Sequence, residues 1–278
     1  MAVQEMRLAL RNMGKIDPES IDDYIAVGGY EALKKARQMD RDELISQVEN
    51  ASKLRGRGGA GFNTGFKWSG AKASKGDRKY IVCNADEGEP GTFKDRVILE
   101  NDPHTVLEGI LIAAYAVGAS NAIIYCRGEY EKQIGLLRHA VKQVQEKGLA
   151  GDVTVEVYSG ASSYVCGEET ALLNSIEGKR AEPRMKPPYP TVAGAFGKPT
   201  VVNNVETFAN VPVIVSKGAE WYSQVGAKDY PGTKIFSISG DVKRPGCYEV
   251  ATDATLNNVV IDLAGGVRDG HTLKAIQL

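Results

Sequence analysis

Cysteine is scarce in this 278-residue sequence: Cys83, Cys126, Cys166 and Cys247 stand alone, with no pair at C-x-x-C spacing. The three histidines are also dispersed, so no local zinc motif can be assembled and no metal ligands are assigned. Isolated thiols read as buried, reduced side chains of a cytoplasmic protein. Their convergence in space as iron–sulfur ligands is the alternative, and it lacks the usual local clustering. An excess of one charge is missing too. The 34 Lys and Arg balance 35 Asp and Glu, leaving a net charge of -1. That excludes a nucleic-acid footprint built on bulk positive charge. No apolar run approaches ~18 residues, so no membrane span is expected. Met1–Glu5 shows no basic region leading into an apolar core, so no signal peptide is expected. What remains, 42% hydrophobic and 25% charged residues, excludes disordered, collagenous and disulfide-scaffold classes. The length suits one large domain, or one domain with a small appendage.

The first fifty or so residues read as helical. Glu5–Met13 is a short amphipathic stretch closed by Gly14. Asp17-Pro18 has the form of an N-cap followed by proline at the first helical position. Tyr30–Met39 is a third helical stretch. Asp40 and Glu43 resemble a capping box ahead of Leu44, Val48 and Ala51. From Lys79 the character changes. Short apolar strands at Tyr80–Cys83, Ala122–Cys126 and Val153–Tyr158 alternate with helices. The helices follow Asp102-Pro103, span Glu131–Lys147 and run from Gly167 to Ile176. This alternation predicts a parallel α/β sheet with right-handed crossovers. Pro183–Pro199 interrupts it, with Lys186–Pro190 expected to be extended and stiff. Asn204–Ser216 returns to helix. Beyond Pro231-Gly232 come a strand at Lys234–Ser239, a turn at Asp241–Gly246, a short helix capped by Thr255 and a final strand at Leu273–Leu278.

Four clusters can carry chemistry. The first is Arg55–Phe62, in which Gly56, Gly58 and Gly61 satisfy G-x-G-x-x-G. A Rossmann fingerprint requires a strand just before it, and the preceding residues look helical and polar. A different glycine-rich cradle for phosphate or flavin fits better, with Arg55, Arg57 and Lys67 as positive charge; a plain flexible loop is the bland alternative. The second is Asn84–Gly91, past the end of the first strand, where open α/β sheets bind ligands. Its carboxylates are acceptors for sugar hydroxyls, or a solvated loop. The third is Ser159–Thr170, whose Glu168 and Glu169 either face the same crevice or simply favour a helix N-terminus. The fourth combines Lys186–Tyr189, with Tyr189 as a platform for a flat ring, and Asn203–Thr207, whose amides hold a polar chain or cap a helix.

Taken in order, Arg55–Phe62, Asn84–Gly91, Tyr164–Thr170, Lys186–Pro190 and Asn203–Thr207 resemble the NADH-binding flavoprotein subunit of respiratory complex I. The same module occurs in NAD-linked hydrogenases and formate dehydrogenases, and Met6–Ala36 looks most like the hydrogenase type. The resemblance covers essentially the whole chain. It implies an N-terminal helical segment over 1–54, a Rossmann-like FMN/NADH-binding α/β domain over 55–230 and an incomplete β-grasp-like domain over 231–278. It places Gly56, Arg57, Gly58, Lys67, Asn84, Asp86, Tyr164, Gly167, Glu168, Asn203, Asn204 and Thr207 around FMN. Phe62, Glu89, Glu169, Lys186 and Tyr189 match positions that hold NADH, and Glu87 a position beside the flavin. Glu89 would accept from ribose hydroxyls, Phe62 and Tyr189 would stack on adenine, and Glu169 would repel a 2′-phosphate.

Two positions depart from the family pattern. Asn63 stands where proline is frequent, and Gly70 where a second aromatic is common, which leaves Phe62 and Tyr189 as the adenine contacts. The family's C-terminal helical domain, with its four-iron cluster, is not encoded. The chain is therefore expected to be C-terminally truncated, with iron–sulfur partner subunits taking the electrons. The implied activity is an FMN-dependent NADH dehydrogenase module, cytoplasmic or peripheral to a membrane complex, with no side chain needed as a nucleophile. Two alternatives stand beside it: a non-catalytic docking fragment, and a flavin-free Rossmann dehydrogenase, which requires a strand before Gly56.

Overall fold

The computed structural model describes residues 4–277. Its centre is a four-stranded, fully parallel sheet of β1 (Tyr80–Ala85), β2 (Asn121–Cys126), β3 (Thr154–Ser159) and β4 (Thr200–Asn204), in the order β3-β2-β1-β4. The alternation of short apolar runs with helices therefore does give a parallel sheet. β1, paired on both sides, is apolar and buried along most of its length, whereas the edge strand β3 alternates. The sheet's fourth strand escaped the sequence reading. β4 follows a proline- and glycine-rich interruption, has only two apolar residues and ends in two asparagines that merge into the next helix, so it lacks the apolar run that signals a strand.

The chain enters through α1 (Ile21–Ala26), α2 (Glu31–Gln38) and α3 (Arg41–Ser46), the last extended by a π-turn at Gln47–Ala51. Asp40 caps α3, accepting from the N–H groups of Asp42 and Glu43. Two expectations fail here. Glu5–Met13 forms turns instead of a helix, because Met6 N–H donates to the Glu249 carbonyl and the N–H groups of Ala9 and Leu10 donate to the Glu249 carboxylate at 2.9 and 2.8 Å. The second helix begins at Ile21, where Ser20 Oγ accepts from Asp23 N–H. Asp17 instead accepts from Glu19 N–H in the preceding turn.

Helices α4 (Thr64–Ala73) and α5 (Lys94–Asn101) precede α6 (Pro103–Val117), which is buried almost all round. Asp102 caps α6 through Thr105 N–H, and Gly118 closes it in a left-handed conformation. Glu108 of α6 pins the N-terminal layer, accepting from Tyr24 Oη at 2.5 Å and Leu33 N–H at 2.9 Å. α7 (Glu131–Glu146) crosses from β2 to β3. A 3₁₀ turn at Tyr164–Gly167 leads into α8 (Glu169–Ile176), and α9 (Pro190–Ala193) precedes β4. α10 (Val205–Lys217) lies against α6; a Cβ at Gly109 would stand 2.1 Å from the Phe208 carbonyl oxygen, which explains the glycine. One large core lies on the α6–α10 side of the sheet. A smaller one on the α8 side is built from Tyr80, Val82, Ile123, Tyr125 and Leu172.

After α11 (Ala219–Ser223), the short pair β5 (Gly226–Ala227) and β6 (Tyr230–Pro231) leads to an antiparallel hairpin of β7 (Thr233–Ile238) and β8 (Gly246–Ala251). Thr255 Oγ1 accepts from Asn258 N–H ahead of a π-turn at Asn258–Leu263. Residues 271–277 are exposed and form no strand, since none of the described strands pairs with them; Leu278 lies outside the described residues.

Candidate functional site

In the sheet order, the chain runs from β1 outward in one direction to β2 and β3 and in the other to β4. The carboxyl ends of β1 and β4 therefore flank a topological switch point, the usual ligand crevice of an open α/β sheet. Register places Cys83 opposite Asn203 and Asn84 opposite Asn204. A cavity of about 720 Å³ opens here, within the size range of small-molecule sites.

The glycine-rich loop forms one wall. No strand precedes it: Arg55 meets Asn63 only in an isolated antiparallel bridge, and Gly56 N–H donates to the Phe62 carbonyl at 2.8 Å. The flavin-free Rossmann alternative thus lacks the strand it requires. Gly61 has φ +62°, and a Cβ at Gly58 would press to 3.1 Å from Asn204 Cβ. The loop is tied down by Arg57 N–H, which donates to Thr207 Oγ1 at 2.9 Å.

Of the sequence-assigned residues, Gly56, Gly58, Phe62, Lys67, Asn84, Gly167, Glu168, Glu169, Lys186, Tyr189, Asn203, Asn204 and Thr207 line the cavity. Arg57, Asp86, Glu87, Glu89 and Tyr164 are not among its lining residues. The charge expected from the two arginines is engaged elsewhere. Arg57 is 2% exposed, and its guanidinium donates to the carbonyls of Thr233 at 2.9 Å and Pro231 at 2.6 Å and stacks over Tyr230. Arg55 Nε donates to the Asp229 carbonyl at 3.0 Å. Glu87 is buried as a cap for α5, accepting from Asp95 N–H at 2.9 Å and Arg96 N–H at 3.1 Å. Burial, reinforced by Asp95, raises its pKa above the ordinary carboxylate value. Glu89 accepts from Tyr164 Oη at 2.6 Å, and Tyr164 is 67% exposed.

Several polar lining residues are committed to holding the walls together. Asn84 Nδ2 donates to the Gly167 carbonyl at 2.9 Å, and its Oδ1 accepts from Asp86 N–H. Asn203 Oδ1 accepts from the buried Trp68 Nε1 at 3.0 Å. Glu168 accepts from the Thr170 hydroxyl and caps α8 through the N–H groups of Thr170 and Ala171; burial raises its pKa, but these hydrogen bonds, the hydroxyl's first, outweigh it and the net shift is downward. Asp86 differs: it is buried, its Oδ2 has no hydrogen-bond partner, and burial against the opposing pull of Arg127 pushes its pKa up to about 6.

The charged mouth is a paired cluster. Glu169 accepts from Lys67 Nζ at 2.9 Å and Lys186 Nζ at 2.8 Å, and Lys67 also reaches the Val202 carbonyl. Burial raises the Glu169 pKa, but the two lysines outweigh it and hold it below the usual value. The acidity read from Glu168 and Glu169 is therefore balanced locally by two cations.

Sequence reasoning missed Phe66, Thr191, Thr200 and Val202, all of which line the cavity. Phe66 is the third residue of α4 and Phe62 lies just ahead of the cap residue Asn63, with ring centroids 5.7 Å apart at 68°, so Phe62 and Tyr189 are not the only aromatics at this wall. Two phenylalanines flanking the Asn63 cap, one just before α4 and one in its first turn, were the available signal. The Lys186–Pro190 run bends instead of extending, with cis peptides at Lys186–Pro187 and Pro187–Pro188.

The family described as the Nuo51 FMN-binding domain matches residues 50–213, more than half of the chain. The chain belongs to that family. An SLBB domain match follows the Nuo51 FMN-binding domain at residues 235–278, over the β7–β8 hairpin. The chain is 50% identical to an NADH-quinone oxidoreductase subunit of Aquifex aeolicus, covering 98% of this chain and 65% of that protein. It is 49% identical to NADP-reducing hydrogenase subunit HndC of Solidesulfovibrio fructosivorans, over 99% of this chain and 57% of the relative. Among solved structures, an NAD+-reducing [NiFe]-hydrogenase in the H2-reduced state superposes with a TM-score of 0.81 at 41% identity, covering 93% of this chain and 43% of that one. The chain thus spans less than two thirds of the length of these relatives. Among the described residues, no helix is long and apolar enough to cross a membrane.

Proposed function

We propose that this chain is an NADH:acceptor oxidoreductase module, in which the switch-point cavity holds FMN and admits NAD(H). The observation that carries the reading is a single cavity where the bare glycine loop, the β1 and β4 carboxyl ends and the Lys67–Glu169–Lys186 cluster meet, in a member of the Nuo51 FMN-binding domain family. The donor set fits a flavin nucleotide. Past Gly56 and Arg57, whose N–H groups hold the loop in shape, the Gly58–Gly61 backbone presents its N–H groups with little side chain over them, Lys67 offers a cation, and the remaining walls are largely apolar. When bound, FMN supplies the hydride-accepting and one-electron chemistry.

The chain's own residues bind and orient. Lys67 and the Gly56–Gly58 backbone would hold the flavin nucleotide, with Asn84, Gly167, Asn203, Asn204 and Thr207 shaping its bed. Asp86, buried and short of a partner, has acceptor capacity at the strand end. Phe62, Phe66 and Tyr189 line the wall along which a dinucleotide would approach, Lys186 and Glu169 set its charge, and the hydrogen-bonded Tyr164–Glu89 pair, outside the cavity lining, would add the contacts assigned to it by resemblance. Positioning is the main contribution such a site makes to rate. We assign 1–54 as a helical segment layered on the α/β domain of 55–230, and 231–278 as the β-grasp-like part. The partners are iron–sulfur electron-transfer subunits of a larger complex, in the cytoplasm or at a membrane-bound assembly. The subunit names of the relatives support a place in a larger complex.

The test is the visible spectrum of the purified chain after adding FMN, followed by an anaerobic NADH titration. Flavin bands that bleach with NADH support the module. A chain that binds no flavin, or whose flavin stays oxidised, is the docking fragment instead.

A further inference from the structure

Lys94 is buried beneath the cavity floor, is absent from the cavity lining, and directs its ammonium at three converging acceptors. Its Nζ lies 2.7 Å from Asp95 Oδ1, 3.0 Å from Glu206 Oε2 and 3.1 Å from Asn204 Oδ1. Asn204 is locked from both ends. Its Oδ1 also accepts from Glu206 N–H at 3.0 Å, and its Nδ2 donates to Asp95 Oδ2 at 2.6 Å. The amide therefore has one orientation, since a flip would set its NH₂ against the ammonium and its oxygen against a carboxylate. The Gly58 backbone rests on this side chain. Burial opposes the charge on Lys94, but Asp95 and Glu206 more than offset it and hold the lysine protonated.

We infer that Lys94 is a positioning residue of the flavin site: acting through Asn204, it sets the seat of the glycine-rich loop without touching the cavity. This rests on the proposed FMN reading. The same ion cluster ties together elements far apart in sequence. Asp95 N–H reaches Glu87 at the β1 end, and Glu206 Oε1 accepts from Ile235 N–H of the hairpin at 2.9 Å. One buried cation thus holds α5, the β4–α10 junction and β7 in register around the loop. Glu206 Oε2 has Lys94 as its ion-pair partner and no hydrogen bond, so removing the lysine leaves a buried charge unpaired.

The test is a double-mutant cycle read by FMN dissociation constants from flavin fluorescence quenching on the full chain. K94Q and N204A are each expected to raise the Kd roughly tenfold or more, the scale of a buried partner lost from a charged hydrogen bond. They should also weaken the visible circular dichroism of the bound flavin. K94Q/N204A is expected to bind no more weakly than the worse single variant, because both act through one side chain. If K94Q does not fold, K94R replaces it, since a guanidinium keeps the charge but not the convergence on three acceptors. A folded K94Q or K94R with wild-type affinity, or effects that multiply in the double variant, overturns the role assigned to Lys94 while leaving the FMN reading intact. A wild-type chain that binds no FMN overturns both.

Discussion

Arg57 and Thr207 stand 150 residues apart, yet the Arg57 N–H donates to Thr207 Oγ1 at 2.9 Å and both groups are buried. This bond fastens the glycine-rich loop to the first turn of α10. The Arg57 side chain leaves in another direction, to the Thr233 and Pro231 carbonyls and Tyr222 Oη. One residue therefore joins the loop to the helix that follows β4 by its backbone and to β6 and β7 by its guanidinium.

Thr207→Val keeps the side-chain shape but removes the acceptor, leaving the buried Arg57 N–H unpaired at a cost of about 1–3 kcal/mol. We expect a lower Tm and weaker FMN binding. Calorimetry that shows no Tm change would mean that the loop does not depend on this bond.

Arg57→Met removes the donors that hold the Thr233 and Pro231 carbonyls and should destabilise the fold by roughly 2–4 kcal/mol. Arg57→Lys should recover only part of this, because a point ammonium cannot reproduce the planar fork. Urea unfolding of the three proteins measures the order. Equal stability of the lysine variant and the wild type would show that charge alone suffices.

Asp86 carries a pH signature. Burial raises its pKa to about 6, so the folded state favours the protonated carboxyl. The group imposes no penalty below its unfolded value near ~3.9; the penalty grows as pH rises through the folded value and is full above it. Asp86→Asn should therefore raise Tm at pH 8, by about 1–3 kcal/mol in stability, and converge with wild type near pH 4. FMN affinity should fall in the same variant, as expected of a strained functional group. Superimposed Tm profiles across that range would remove Asp86 as a source of strain.

Glu169 balances Lys67 and Lys186 at the mouth. Glu169→Gln leaves two lysines against Glu168 alone. We expect the ratio of kcat/KM for NADPH over NADH to rise by about tenfold, equal to ~1.4 kcal/mol of discrimination. A ratio that stays constant would place the 2′-position of the ribose away from this cluster.

The sequence by itself determined the features whose causes lie close along the chain. Alternating apolar runs and capped helices specify the parallel sheet, and Gly58 and Gly61 announce a loop that must tolerate close approach and positive φ. The acidic and amide-bearing segments mark the strand ends, because ligand crevices form there in such sheets. Only the tertiary structure decided what depends on distant partners. β4 is a strand because β1 offers it an edge, not because five residues ending in asparagine require one. Arg57 reads as a phosphate-binding cation until the Pro231 and Thr233 carbonyls claim it, and Glu5–Met13 reads as a helix until Glu249 takes its donors. Lys94 carries no local signal at all. Its three acceptors come from an adjacent residue and from a helix start more than a hundred positions away, and burial makes that convergence obligatory.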